Sequence, residues 1–308
     1  MGSLYTSELS RAVSESVAAA LQRSFQGELR SASALGSGWS TSAELLNRND
    51  STERYFVKLS EPQAVSMFSA EFEGIQAMAE SETVRVPAPI CYGNTAERSF
   101  IVLEYLELGG IGNEAVYRDF GEKLAAMHRC SSGGRGYGWH RGNTIGSTPQ
   151  LNTWMHSWAD FFVENRLRYQ LKLARSRQGG RLRNEDALLQ RVHSILQEHE
   201  IQHQVTPSLV HGDLWTGNVA TLRNQNEVVI FDPATYYGDR EVDLAMTELF
   251  GRLPRAFYQA YDASWPLPKG YREKRRVIYN LYHILNHGAL FGGGYYDQAQ
   301  SMIETILR

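Results

Sequence analysis

The stretch Val210-His211-Gly212-Asp213-Leu214-Trp215-Thr216-Gly217-Asn218, followed by Val228-Val229-Ile230-Phe231-Asp232-Pro233, decides how this chain is read. An aspartate, an asparagine five positions on and a second aspartate closing an apolar run supply one base and two oxygen ligands for a hard metal ion. Phosphoryl transfer leaves a protein mostly positioning and electrostatics to do: a carboxylate orients the attacking hydroxyl, and oxygen donors hold Mg²⁺ on the phosphates. Asp213 is therefore the candidate base, with Asn218 and Asp232 as candidate metal ligands.

His211, Asp213, Leu214 and Asn218 fall in the register of the protein-kinase pattern H-R-D-L-x-x-x-N, and Asp232 follows the base by 19 residues. Gly212 replaces the arginine, and Asp232-Pro233-Ala234 replaces D-F-G. Both departures point to kinases of small or non-peptide substrates. Upstream, Leu35-Gly36-Ser37-Gly38-Trp39 is a glycine turn whose amides (Gly36, Ser37, Gly38) suit phosphate oxygens, although the third glycine of G-x-G-x-x-G is missing and an ordinary β-turn fits equally well. Lys58 ends the β-prone run Phe56-Val57-Lys58, as the phosphate-pairing lysine of V-A-I-K does.

Residues 63–80 read as a helix on the spacing of Val65, Phe68, Phe72, Ile75 and Met78. Glu71, at the edge of that apolar face, is the candidate partner of Lys58, while Glu73 reads as solvated. The Val86-Pro87-Ala88-Pro89 run forces extended backbone. The strand over 99–106 runs into Gly109-Gly110, which is how a hinge looks; there the carbonyl of Glu104 and the amide of Leu106 would meet an adenine, and an ordinary strand end is the alternative.

Composition narrows the classes. A chain of 308 residues, 42% hydrophobic, can bury a core and form two lobes. A net charge of −3 makes no bulk case for nucleic acid or membrane. Two cysteines, Cys91 and Cys130, suit a reducing cytoplasm rather than a disulfide framework. No apolar run approaches a membrane span and no secretory leader is visible. Met1-Gly2-Ser3-Leu4-Tyr5-Thr6 fits the myristoylation pattern, but a chance match is the better reading, since one acyl chain without a basic partner anchors poorly.

Residues 7–24 read as an amphipathic helix through Leu9, Val13, Val17, Ala20 and Leu21, a lid or brace on the lobe, followed by short β-prone runs at 29–35, 40–46 and 55–59. From Glu114 the chain turns helical, with a core stripe of Tyr117, Phe120, Leu124 and Met127 ending at His128, which reads as a satisfied helix-end histidine. The long glycine-rich interval 130–149 is expected to wall the acceptor site. Residues 152–173 read as a helix with an aromatic core stripe, and 241–308 as helices covering the active lobe. The basic run from Arg166 to Arg183, and Lys274-Arg275-Arg276, read as solvated faces.

The block His211 to Asn218, the continuation Phe231-Asp232-Pro233-Ala234-Thr235-Tyr236-Tyr237-Gly238-Asp239-Arg240-Glu241 and Asn143-Thr144-Ile145-Gly146-Ser147-Thr148-Pro149-Gln150 together closely resemble the fructosamine kinase family, also called ketosamine or ribulosamine 3-kinases. The resemblance runs from about residue 29 to the C-terminus. The glycine turn departs most, lacking the cysteine some members carry there.

The resemblance implies an α+β, bilobal, protein-kinase-like fold: an N-terminal helix over 1–27, a small β-rich N-lobe over 28–107 and a larger helical C-lobe over 108–308. It implies transfer of the ATP γ-phosphate, with Mg²⁺, to the 3-hydroxyl of a small-molecule or protein-bound ketosamine, a deglycation repair. Nucleic acid and membrane are not expected as partners, and the chain is expected to be a cytoplasmic monomer or weak dimer. Asp213 would be the base, Asn218 and Asp232 the metal ligands, Lys58 the phosphate contact and Glu71 its partner. Trp215 could stack on the sugar or its amine, or sit as a core tryptophan under the loop. Tyr236 and Tyr237 would line the acceptor pocket; His211 and Asp243 would brace the loop. Alternatives are a kinase of another small hydroxyl acceptor, such as an aminoglycoside or amino alcohol, or an inactive ATP-binding scaffold.

Overall fold

The computed structural model describes residues 7–23, 30–35, 40–46, 52–109, 112–176, 182–223 and 225–308. The expected phosphate turn at Gly36, Ser37 and Gly38 lies outside them. The smaller lobe follows from alternation along two strands. β3 (Thr52–Ser60) and β5 (Ser99–Glu104) pair antiparallel inside a five-stranded sheet ordered β1-β2-β3-β5-β4, completed by β1 (Arg30–Leu35), β2 (Ser40–Leu46) and β4 (Pro89–Asn94). Val57 and Leu59 take one face and meet Leu9, Val13 and Val17 of α1 (Ser7–Leu21). That helix is thus a brace behind the sheet. Lys58, between them, takes the opposite face toward α2 (Val65–Glu80), because successive strand side chains alternate.

The larger lobe is helical: α3 (Glu114–His128), α4 (Trp158–Phe162), α5 (Tyr169–Arg175), α6 (Glu185–His203), α7 (Glu241–Met246), α8 (Arg255–Ser264), α9 (Arg276–Phe291) and α10 (Tyr295–Leu307). The antiparallel pairs β6 (Asn143–Ile145) with β7 (Thr148–Gln150), β8 (Ser208–Val210) with β11 (Tyr236–Gly238), and β9 (Val219–Thr221) with β10 (Val228–Ile230) hold its loops. The result is the α+β two-lobed arrangement of the protein-kinase-like kind. Gly109 N donates to Thr221 O at 2.6 Å and Arg223 N to Glu107 O at 2.7 Å, so the connection after β5 is tied to the larger lobe. No helix among the described residues is long and apolar enough to cross a membrane.

Four expectations fail for identifiable reasons. The helix expected from residue 152 begins at Trp158: Met155 is engaged in a bridge with Tyr137, and Ser157 accepts the Asp160 amide as a cap. It then widens into a π turn over Val163–Arg168 before α5. Arg166 is not on a solvated face but fully buried, donating to Leu151 O and to Asn152 Oδ1 at 2.8 Å, with its guanidinium 4.1 Å from the centre of the Tyr236 ring. Arg275 is likewise buried, in a two-pronged pair with Glu241 at 2.7 and 2.8 Å. A buried guanidinium survives where carboxylates, carbonyl oxygens or ring faces meet its charge, although Arg166 Nε is left without a hydrogen-bond partner. Glu73 is half-buried rather than free in solvent, held by His140 at 2.6 Å and Arg141 at 2.8 Å.

Helices α3 and α8 cross in close contact, Phe120 stacking on Phe257 at 5.0 Å between ring centres. Gly121 lies at the crossing, where a Cβ would come within 2.4 Å of Phe257 O. Glycine in mid-helix ordinarily costs about 1 kcal/mol relative to alanine. Here the close approach of two backbones requires it. Gly121→Ala should therefore destabilise the chain, by about 1–3 kcal/mol as overpacking does, in a denaturant unfolding experiment; a gain in stability would show that the crossing is looser than described.

Candidate active site

The catalytic loop is built by burial behind it. Asp243 on α7 is buried and accepts from His211 N at 2.7 Å, Gly212 N at 2.8 Å and His128 Nε2 at 3.1 Å. Burial opposes its charge, but the His128 and His211 contacts more than offset this and hold its pKa below the ordinary value. His128 is itself buried and bonded at Nδ1 to Tyr261 Oη. His211 Nε2 donates to Phe231 O at 2.9 Å, joining the loop to the strand that leads to Asp232. Gly212 adopts φ +81°, and a Cβ there would lie 2.2 Å from Ala234 O. The space an arginine occupies in the protein-kinase pattern is filled here by backbone.

On this frame the proposed catalytic side chains converge. Lys58, Glu71, Asn143, Asp213, Trp215, Asn218 and Asp232 line one cavity of about 300 Å³ between the lobes. Lys58 Nζ sits 2.6 Å from both Glu71 Oε1 and Asp232 Oδ1. Burial works against its charge, but the two carboxylates raise its pKa above the ordinary lysine value and keep it protonated. Asn218 spends Nδ2 on Asp213 O and Asp232 O, which leaves Oδ1 as its free donor oxygen. An amide oxygen beside a carboxylate is a donor set for a hard cation, so the residues present fit Mg²⁺. Asp232 holds φ +59°, an uncommon value for a non-glycine residue, between Phe231, whose amide donates to Asn218 O, and Ala234, whose amide donates to His211 O.

The Asp213 carboxyl is pushed up to about 7 by burial first and then by the charges of Asp232 and Asp243. His283 Nδ1 lies 3.9 Å from Asp213 Oδ1; it is buried with no hydrogen-bond partner, and burial with His287 nearby lowers its pKa to about 3. No pattern in the sequence singles it out, because His283 falls on the core face of α9, where a histidine reads as filler.

A second cavity of about 340 Å³ shares Gly146, Asp213 and Trp215 with the first and is walled by Phe250, His287, Leu290, Phe291 and Tyr295. Trp215 is 37% exposed, so it is not a core tryptophan. Its indole lies over Gly217, where a Cβ would be 2.2 Å from Cη2, and meets Phe250 edge-on at 87°. From the glycine-rich interval, Asn143, Thr144 and Gly146 line the first cavity and Ile145 and Gly146 the second. Asn143 Nδ2 donates to Thr235 O, and Gln150 Nε2 to Ala234 O and Asn143 Oδ1, so this hairpin clamps the segment after Asp232.

The two tyrosines are a correction. Tyr236 lines neither cavity; it is buried between Arg166 and Phe161, stacked on the latter at 5.7 Å. Tyr237 packs between Trp139 and Trp154 on the other side of β11. Alternation along a three-residue strand paired with β8 sends one ring into the core and the other to the outer aromatic cluster. The Glu104 side chain pairs with Arg85 at 2.6 Å and accepts from Ala88 N, and its amide donates to Ala88 O at 2.9 Å; Leu106 follows outside any strand. A further cavity of about 700 Å³, between α8 and the 267–273 segment, contains none of the expected site residues.

The fructosamine kinase family model matches residues 9–308. A "probable ketoamine kinase" of Synechocystis is 52% identical over 259 residues, covering 84% of this chain and 85% of that protein. A chloroplastic protein-ribulosamine 3-kinase of Arabidopsis thaliana is 44% identical, covering 82% and 76%. A crystal structure from Haemophilus somnus that bears the name fructosamine-3-kinase superposes with a TM-score of 0.80 at 29% identity, covering 96% and 97%.

An elevated Asp213 pKa has a stability consequence for the metal-free chain. The unfolded carboxyl ionises near 3.8 and the folded one near 7, so ionisation penalises the folded state progressively between those values and fully above them. Asp213→Asn should raise the stability of the metal-free protein at pH 8 by roughly 2–4 kcal/mol, with the gain at least halved at pH 5. Denaturant titrations at both pH values test this; a gain independent of pH would place the carboxyl's pKa in the ordinary range.

Proposed function

The chain belongs to the fructosamine kinase family, and from that premise we propose that it transfers the γ-phosphate of ATP to the 3-hydroxyl of ketosamines, ribulosamine or fructosamine adducts on lysines or free amines. The observation that carries this reading is the junction of the two cavities at Asp213 and Trp215. One side offers a lysine, an amide oxygen and a carboxylate for Mg·ATP, and the other an aromatic wall for an acceptor. Names of the relatives, ketoamine kinase and protein-ribulosamine 3-kinase, support the acceptor class.

In this reading Lys58, positioned by Glu71, contacts the nucleotide phosphates. Asn218 and Asp232 hold Mg²⁺, which when bound neutralises charge on the transferring phosphoryl group. Asp213 orients the 3-hydroxyl and takes its proton as the oxygen bonds to the γ-phosphorus and ADP leaves. A base whose pKa lies near the working pH suits that transfer. His211 and Asp243 keep the loop in register, and Trp215 presents its flat face to the sugar or the attached amine. The adenine is met at the backbone of Glu104 and Leu106. The phosphorylated adduct decomposes, so the role is deglycation repair. The chain acts in a reducing cytoplasm, as a monomer or weak dimer, with neither nucleic acid nor membrane as partner. Free Cys91 and Cys130 support that compartment, burial pushing the Cys91 thiol up to about 12.

Incubation with Mg·ATP and a panel of ribulosamine- and fructosamine-lysine, aminoglycosides and choline, followed by phosphorus NMR, should give a 3-phosphate on the ketosamines. Phosphate appearing on an aminoglycoside or choline alone overturns the acceptor assignment. Asp213→Asn should lower turnover by about 10²- to 10⁴-fold, the worth of a positioned base, while nucleotide affinity persists; near-normal turnover removes Asp213 from that role. Asp232→Ala should abolish Mg·ATP binding in calorimetry.

A further inference from the structure

Helix α6 ends in His199-Glu200-Ile201-Gln202-His203, two histidines four residues apart and hence on one helix face, a spacing that places two imidazoles on one metal ion. None of the cavity residues around them lines the catalytic cleft. Glu200 carries no chemistry in this motif. Its carboxylate accepts from Ser157 Oγ and Trp158 N, each at 3.0 Å, capping α4, and cannot serve as a general base beside a metal.

His199 is 3% exposed, and its Nε2 lies 3.0 Å from Asp239 Oδ2. That carboxylate also accepts from Tyr279 Oη at 2.6 Å and Glu241 N at 3.0 Å. With those bonds on the carboxylate, the His199 ring is held through Nε2. Its other nitrogen, Nδ1, is buried without a partner. A histidine that gives its other N–H to a carboxylate is the usual form of a metal ligand.

The His203 ring lies 5.2 Å from that of His199, centre to centre, at 54°. Two imidazoles sharing one tetrahedral zinc, each nitrogen about 2.0–2.1 Å from it, have ring centres about 5 Å apart. Both rings border a cavity of about 310 Å³ together with Gln204, Asp239, Arg240 and Trp265. Glu241 approaches His199 Nε2 to 3.9 Å but has both oxygens on Arg275, and Arg240 donates to Trp265 O and Pro266 O. Two carboxylates are thus balanced by two guanidinium groups. A pocket near neutrality with nitrogen donors disfavours Mg²⁺ and Ca²⁺, which want oxygens and negative charge, and favours a borderline transition metal.

We propose that His199 Nδ1 and His203 form a binding site for a divalent transition metal, zinc in the first instance, at the end of α6 and separate from the ATP and ketosamine cleft. Solvent completes the coordination on the exposed His203 side. The metal bears, through Asp239, on Tyr279 of α9 and on the start of α7, the helix that carries Asp243. Its effect is therefore on the stability of the larger lobe rather than on the chemistry.

The test uses the full, untagged chain, stripped with chelator. Titration with zinc chloride should show one site by calorimetry and raise the unfolding temperature, and cobalt in place of zinc should give the visible bands of a four-coordinate ion. His203→Gln alters an exposed side chain and should fold normally, with the same unfolding temperature in chelator. It should lose zinc affinity by at least about tenfold and abolish the cobalt bands. His283 and His287 are a second pair four apart, at the cleft, so His287→Gln is the control and should bind zinc as the unaltered chain does. Unchanged affinity in His203→Gln, loss confined to His287→Gln, or no zinc binding at all would each overturn the proposal.

Discussion

One buried carboxylate fixes the geometry on which the rest depends. Asp243 accepts two consecutive backbone amides, of His211 and Gly212, and the ring of His128. A charge taken out of water needs such donors, and they come from two parts of the lobe: the loop at 211–212 and the end of α3. Removing the carboxylate would leave two buried amides unpaired as well as free the loop. The same constraint explains Gly212, since holding its amide on Asp243 while Ala234 N bonds His211 O brings the loop against the next segment with no room for a side chain.

From that anchor the two lobes are joined by charge. Lys58 belongs to the sheet, Glu71 to α2 and Asp232 to the larger lobe, and all three meet within 2.6 Å contacts. An ammonium between two carboxylates places the smaller lobe over the larger, and the cavity between them is the space those charges keep open to polar ligands. The second cavity is of a different character, walled by Trp215, Phe250, His287 and Tyr295, so the lining changes across Asp213 from charged groups to aromatic rings.

How far the sequence reached depended on whether a residue's role was local. Asp213, Asn218, Asp232, Lys58 and Glu71 were legible because the spacing of loop, strand and helix brings them to one cavity almost regardless of detail. Arg166, Arg275 and Tyr236 were misread for the opposite reason. A basic residue in a helix and a tyrosine beside a site ordinarily face solvent or ligand, and only partners remote in the chain, Asn152, Glu241 and Phe161, make burial the better state. His283 was silent on the same ground.

By itself the sequence determined the two-lobed α+β plan, the order of Asp213, Asn218 and Asp232 and the family, since each rests on short-range pattern: alternation on β3, helical spacing on α2 and α3, and fixed intervals around Asp213. Tertiary structure alone decided which charges are buried, where the aromatic wall beside Asp213 stands and how the loop that carries Asp213 is held. Those depend on desolvation, and whether a charged or polar group is out of water is settled by what packs over it from elsewhere in the chain.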